Sequence, residues 1–487
     1  MNKKSVFTVV VAGVLTAGAA AAGALSTGAL VQVSGPSPFS GCTADNVGQT
    51  GVNYPGTEVE PFVAVLGSDA VGAWQQDRWS NGGSRGIGWS SSDDGGATWT
   101  PPAPVQGLTL CAGGEFERAT DPWVTFSPDG SAYLFSLTLN DTDVDHALLV
   151  QKSTNGGATW GTPTTVLREA NPHVFNDKNS ITAHPADSRY VYAVWDRLVF
   201  PSDRSRGDAS ALRASAYRGP TWFARTIDGG ATWEAARQIY DPGQNNQTIG
   251  NQIAVLGNGT LVNIFDEILN FKNAKKQRGL NVAVIRSSDR GATWGRRIVV
   301  DRLGAVGVRD PDTGFPVRTG DIIPDIAASG QNVYAVWQDA RFTGGVADQV
   351  LFSQSADGGL TWSPSIRVSQ SPGSVQAFTP SVDVRPDGTV VVSYYDFRNN
   401  DAGTPLETDY WAVSCASTSN CAAASSWGSE VRLTDTSFDM AQAPVARGYF
   451  VGDYEGLAND GGDFLAFFSQ QHGTDGASIF ARRITTP

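Results

Sequence analysis

The chain has 487 residues, with 35 Lys and Arg against 48 Asp and Glu, for a formal charge of −13. Such a balance excludes nucleic-acid binding through the overall field, because a phosphate backbone demands an excess of cations. Four His and four Cys, with no Cys/His ligand spacing, leave no basis for a zinc centre or a His-based nucleophile triad.

The chain opens with Lys3-Lys4 and then an apolar, Ala- and Gly-rich run from Val6 to about Leu30, with Ala-x-Ala-like sites between Ala19 and Ala24. This reads as a secretory leader over residues 1–30, with a membrane anchor as the weaker alternative. Nothing later is apolar enough to span a bilayer. The expectation is an exported monomer, with no membrane or nucleic-acid partner once the leader is removed. Residues 31–487 form its single domain.

From there the sequence repeats a fixed grammar. An apolar strand is often opened by Pro, as in Pro61 to Val65, Pro122 to Phe126 and Pro380 to Val384. A tight turn follows, such as Ser127 to Gly130 or Arg385 to Gly388. Next comes a β-branched and aromatic strand: Val191 to Trp195, Val333 to Trp337, Val390 to Tyr394. A third strand leads into a corner and a short fourth leaves it. Strand-length runs bounded by Gly, Pro, Asn and Asp, with no sustained helical period, predict an all-β chain.

The corner is an eight-residue phrase, Ser/Thr-x-Asp-x-Gly-x-Thr-Trp. It occurs at Ser92 to Trp99, Ser153 to Trp160, Thr226 to Trp233, Ser287 to Trp294 and Ser355 to Trp362, with Asn155 replacing Asp in the second copy. Successive Trp residues lie 61, 73, 61 and 68 apart, and Trp427 gives a degenerate sixth at 65. Asp-Gly is turn chemistry, and the Trp plugs the turn against a sheet, its N–H seeking an acceptor. These carboxylates are structural.

Four strands per unit at this period are the pattern of a β-propeller blade. Units following the phrased five run from Phe378 to Trp427 and from Gly452 to Ile484, predicting seven four-stranded blades, with six as the alternative. The last unit lacks a fourth strand. Val31 to Ser34, which resembles Ile366 to Ser369, is expected to supply it and close the ring. Four cysteines in an exported chain predict two disulfides, Cys415–Cys421 and Cys42–Cys111.

If the corners occupy one face, the ends of second strands and beginnings of first strands occupy the other, around the channel. Second strands end in Gln76-Asp77-Arg78, Trp195-Asp196-Arg197, Phe265-Asp266-Glu267, Trp337 to Arg341 and Tyr395 to Arg398. First strands are approached through Glu60, Asp121, Asp177-Lys178, Asp321 to Asp325 and Asp453-Tyr454. Carboxylates and guanidiniums in one ring suit a polar ligand, although repeated Asp-x-Arg is also how inter-blade salt bridges read. The run Asp141-Thr-Asp143-Val-Asp145 lacks the Gly and distal Glu of a calcium loop. No metal or cofactor is expected.

The corner phrase resembles the Asp-box, or BNR repeat, of the sialidase (neuraminidase) superfamily, over nearly the whole chain after the leader. That resemblance implies a propeller and a sugar-binding channel. The family opening Arg-Ile-Pro corresponds to Val59-Glu60-Pro61, without its arginine, whereas Arg78 matches the arginine closing the second strand. The family's Asp acid has no counterpart between Trp79 and Gly86. Its nucleophile segment resembles Tyr454-Glu-Gly-Leu457.

Two readings follow. One is a secreted carbohydrate-active enzyme, glycoside hydrolase-like, on a substrate other than an ordinary sialoside. Here Asp339 and Asp396 are the acid/base pair and Tyr454 with Asp453 a second nucleophile pair. Arg78, Arg197, Arg341, Arg398, Glu60, Asp121 and Asp177 bind substrate. The alternative is a non-catalytic propeller that binds a protein or polysaccharide on the channel face.

Overall fold

The computed structural model describes residues 24–45, 47–200, 218–269, 279–403 and 405–486. Within them the chain is all-β, and the helical segments described are single 3₁₀ turns such as Leu110–Ala112 and Arg341–Thr343. No helix among the described residues is long and apolar enough to cross a membrane.

Antiparallel units of four strands account for nearly all of it, the first two joined through Ser84 and Ala119 into one eight-stranded sheet and the one opened by Ala377–Val384 carrying a short fifth strand, Phe438–Asp439. Their first strands are Glu58–Leu66, Arg118–Phe126, Val174–Ala183, Gln247–Val255, Asp325–Ser329, Ala377–Val384 and Gly456–Asn459. These strands pack against one another in chain order, and Gly456–Asn459 also packs against Glu58–Leu66. The sheets are numbered one to seven below by these strands. In the last of them the strand beside Asp475–Thr485 is Ser26–Gln32, from the other end of the chain. It begins and ends earlier than the expected Val31 to Ser34, because the eleven-residue partner offers a ladder out to Thr485. Ser34 lies beyond the ladder, where its N–H bonds the Ile479 carbonyl at 3.3 Å and its hydroxyl accepts the Ile479 N–H at 2.8 Å. The first 23 residues of the expected leader lie outside the described residues, and Ser26 falls inside the 1–30 range.

Each corner folds identically. In the first, the Ser92 hydroxyl donates to Asp94 (2.8 Å) and accepts the Gly96 N–H (2.9 Å), while Asp94 also accepts the Thr98 N–H and hydroxyl (2.8 and 2.6 Å). In the second corner Asn155 accepts the Thr159 N–H and donates its amide to the Thr159 hydroxyl. Two left-handed residues make the turn, Gly95 and Gly96 at φ 72° and 86°; in the fourth corner Arg290 takes the first place at φ 58°. The Gly95 N–H also bonds the Ser68 carbonyl, in the turn between first and second strands. Corners therefore share a face with those turns, opposite the beginnings of the first strands.

The corner tryptophans wedge between sheets. Trp160 meets Trp89 of the preceding sheet edge-on at 6.0 Å, Trp294 meets Phe223 at 5.5 Å, and Trp427 meets Phe352 at 4.9 Å. The expected acceptor exists for Trp99, whose N–H bonds the Gly96 carbonyl at 3.1 Å, and for the degenerate Trp427, whose N–H bonds the Cys421 carbonyl at 3.0 Å. The indole N–H groups of Trp160, Trp233, Trp294 and Trp362 have none among the described residues. Apolar contact between sheets, not the N–H, fixes these rings. Both disulfides form as expected, Cys42–Cys111 and Cys415–Cys421.

Candidate functional site

Five first strands carry the same irregularity. Their ladders skip Glu60-Pro61, Asp121-Pro122, Lys178-Asn179, Gly250-Asn251 and Thr379-Pro380. The first residue of each pair is left-handed, at φ 51°, 49°, 47°, 71° and 48°. Such backbone costs a non-glycine residue roughly 1–3 kcal/mol and persists only where its surroundings enforce it. Here the bulge N–H groups are claimed: Glu60 donates to the Val451 carbonyl (3.0 Å), Gly250 to Asp196 (2.9 Å) and Thr379 to Gln338 (2.9 Å). Pro fits the second bulge position because no ladder N–H is needed there. Pro61, Pro122 and Pro380 therefore lie inside their strands and do not open them.

The bulges bring side chains from distant sheets together. The Lys178 ammonium contacts Glu60 (3.0 Å), Asp121 (3.0 Å) and Asp453 (2.7 Å) and lies 5.6 Å over the Tyr454 ring. Asp453 also accepts both arms of Arg318, Nε at 2.9 Å and Nη2. Arg318 arrives on the short strand Pro316–Arg318, paired in parallel with Tyr449–Phe450. Its guanidinium stacks on the Phe450 ring at 4.2 Å, and Arg78 stacks on that ring at 4.9 Å. Arg78 is only 3% exposed. It donates to the Gln75 side chain, its Nε has no partner, and no carboxylate lies within ion-pair distance of it among the described residues.

Burial divides the charges of this cluster. It pushes the Glu60 carboxyl up to about 7, with Asp121 and Asp453 adding repulsion that Lys178 only partly offsets. Burial also raises Asp121 and Asp177. Asp453 goes the other way: burial is overcome by Arg318 and Lys178, which hold it well below the usual carboxylate range. Arg78 falls to about 10 through burial and the nearby Arg318. The Tyr454 phenol is driven well up by burial and the surrounding acids, its ring packed 5.1 Å from Trp123. Beside it lies a cavity with room for about one water, lined by Asp325, Glu455, Gln252 and Ser381 among apolar side chains.

The expected ring resolves into two sets. Glu60, Asp121, Asp177, Asp453, Tyr454 and Arg78 belong to the cluster. Asp339 and Asp396 do not reach it: Asp339 accepts Nε and Nη2 of Arg341 (3.0 and 2.8 Å), and Asp396 accepts Arg398 Nε (2.5 Å) and the Ser371 hydroxyl (2.6 Å). Arg398 also pairs with Glu430 and stacks on Trp411 at 3.9 Å, while Arg197 pairs with Glu169 at 2.5 Å and stacks on Trp222 at 4.3 Å. Arg197 thus ties the third sheet to the second, and Arg341 ties the fifth to Asp301 of the fourth at 2.7 Å, so these two arginines hold neighbouring sheets together away from the cluster. In the 141–145 loop Asp141 pairs with Arg118 and Asp145 with Arg168. Among the described residues the one group compact enough for a metal is Cys42, Asp45 and Cys111, whose sulfurs are consumed by the disulfide.

Of the two central cations, the sequence places Lys178 in the ring without giving it a role, and it does not single out Arg318. Lys178 stands where the first two sheets carry an acid, a break in the repeat that could have marked it. Arg318 lies in the stretch before the fifth sheet, outside the repeated grammar, and nothing in its surroundings signals a role.

No family model and no curated protein match the chain. Among solved structures it is similar to a protein of unknown function from Dyadobacter fermentans (TM-score 0.48, 15% identity, 76% of this chain and 95% of that one). It is also similar to the GH93 alpha-L-arabinofuranosidase of Fusarium graminearum in complex with arabinobiose (0.44, 13%, 94% and 98%). A third is the phage phi92 endosialidase (0.48, 10%, 90% and 68%). Likeness this distant bears on neither the activity nor the substrate of this chain.

Proposed function

We propose that the sheets close as a ring of seven blades, the N-terminal strand completing the last, in a secreted, sialidase-like propeller that acts on a glycan at the channel cluster. Closure is supported by the packing of the last first-strand on the first. Export is supported by two disulfides, which persist in oxidising compartments.

The observation that carries the reading is Arg78. A buried guanidinium without a carboxylate, sharing one aromatic ring with Arg318, is a prepared partner for an anion. A sugar carboxylate fits it, and the loss of the family's first arginine, with Val59 in its place, argues for a uronic acid over an ordinary sialoside. The acids support glycoside chemistry, which needs one carboxyl protonated and one ionised. Glu60 near 7 is the acid, and Asp453 is the ionised member. Both touch one ammonium, so their oxygens are less than about 6 Å apart, nearer the roughly 5–5.5 Å of retaining enzymes than the 6.5–9.5 Å of inverting ones. Tyr454, its phenol driven up by burial, serves as wall and not as nucleophile.

A non-catalytic propeller binding the same ligand is the second reading, favoured by Lys178, which neutralises acids that catalysis would use. The test is a panel of uronic-acid polysaccharides and sialosides with Arg78→Ala and Glu60→Gln. The expected result is uronate turnover abolished by Glu60→Gln, with binding weakened about 10- to 100-fold by Arg78→Ala. Binding without turnover supports the second reading. Sialoside turnover overturns the substrate assignment.

A further inference from the structure

We propose that Lys178 is a positioning residue for the channel site, its ammonium locking Glu60 of the first sheet, Asp121 of the second and Asp453 at the entry to the seventh into one constellation. This rests on the reading of the cluster as the functional site. Three observations carry it. A lysine occupies a left-handed bulge, φ 47°, that costs nothing to a glycine, and the fourth sheet places Gly250 at the equivalent bulge. Its side chain is 9% exposed, too deep for a solvated surface lysine. And its three carboxylate partners come from three other parts of the ring, so one ammonium fixes the spacing of all of them.

The electrostatics agree. Burial alone would lower the Lys178 ammonium, yet Asp121, Asp453, Glu60 and Asp177 together hold it well above its ordinary value. The groups that face it are these four acids and the Tyr454 ring. Arg318 pairs with Asp453 as well, and Arg78 forms no ion pair with these acids among the described residues. Without the ammonium, Asp453 keeps Arg318, while Glu60 and Asp121 have no cation in contact among the described residues. Both would then resist ionisation more strongly, and their spacing would be set by repulsion alone.

The test needs no turnover. Lys178→Met keeps the aliphatic bulk and deletes the charge. Its loss in Tm against the unmodified protein is expected to be small at pH 4, where Glu60 is protonated, and to widen to on the order of 5 °C at pH 8, where a buried charge is left unpaired. Lys178→Gly keeps the backbone and leaves a gap the shape of n-butylammonium. That amine is expected to raise the Tm of Lys178→Gly at pH 8, and n-butanol is not. A deficit that stays constant from pH 4 to 8, or equal rescue by the alcohol, makes Lys178 packing material and overturns the proposal. Failure of the glycan panel would remove the functional reading while leaving these Tm results standing, so the two can fail separately.

Discussion

The molecule repeats itself twice, and the two repeats obey opposite rules. At the corners the backbone and the chemistry both recur: a hydroxyl, a carboxylate or amide, a glycine and a tryptophan make the same bonds in every phrased sheet. At the first-strand bulges only the backbone recurs. Near-identical left-handed residues are Glu60, Asp121, Lys178 and Thr379, with Gly250 in the fourth sheet. Where identical geometry carries identical side chains, the side chains are making the geometry. Where it carries a different side chain in every sheet, the geometry is a mount and the side chains answer to something else. The carboxylates differ accordingly. Exposed Asp94, Asp228, Asp289 and Asp357 are lowered to about 2, chiefly by the following Thr hydroxyls, whereas Glu60 rises to about 7 by burial.

The sharpest way to break the comparison is to put one methyl group into each repeat. A Cβ on Gly157, at φ 87°, would stand 2.0 Å from a Val71 methyl of the preceding sheet. Gly157→Ala combines left-handed strain with overpacking and should cost roughly 3 kcal/mol or more. A Cβ on Gly250, at φ 71°, meets Ile323 at 3.0 Å, and four sibling bulges already carry side chains at this position. Gly250→Ala should cost about 1 kcal/mol. Thermal denaturation of the two variants decides, and equal losses would mean that the bulge is as tightly prescribed as the corner.

This division also explains what could be read from the chain. The corners, the strand grammar and both disulfides were legible because each is set by a short pattern with one local solution. Pro61, Pro122 and Pro380 misled: Pro reads as punctuation before a strand, while here it fills the donor-free half of a bulge within one. The cluster was legible only as a list of charged residues. Lys178 meets partners 57 and 118 residues away, and although Asp-x-Arg at the strand ends reads as salt bridges, nothing in it tells Asp339 and Asp396, which pair with Arg341 and Arg398, from Arg78, which pairs with no carboxylate among the described residues. Local pattern reports what holds a sheet together. The pairing of side chains across sheets is fixed by ring geometry that no single repeat contains.

Titration sharpens the comparison with a smaller effect. Glu60 is protonated up to about 7 in the folded state and to about 4.5 in the unfolded one. The unfolded chain therefore releases its proton first, and stability falls as pH rises from 4.5 through 7. Glu60→Gln removes that proton exchange and retains the shape. Its Tm should match the unmodified protein near pH 4 and exceed it by a few degrees at pH 8, even as it abolishes the activity proposed for the site. A higher Tm at neutral pH with lost function is the signature of a residue kept for chemistry. A lower Tm at both pH values would make Glu60 a structural member of the Lys178 contact and nothing more.

At the corners the sign reverses and the effect is smallest. A carboxylate at about 2 when folded and 3.8 when unfolded contributes stability that is complete above 3.8 and is lost as pH falls through 2. The second corner already shows how to remove this dependence: Asn155 holds Thr159 with the same two bonds and no charge. Changing Asp94, Asp228, Asp289 and Asp357 together to Asn should leave the Tm at pH 7 within about 2 °C, because exposed charges contribute little to stability. The loss of Tm between pH 4 and pH 2 should become shallower. If the quadruple variant instead unfolds at pH 7, the corner needs its charge as well as its shape, and Asn155 becomes an exception that the rest of the repeat cannot follow. If it survives, these four corner carboxylates are replaceable by their amides, whereas the function proposed for Glu60 and Asp453 requires one acid protonated and one ionised and would not survive the same exchange.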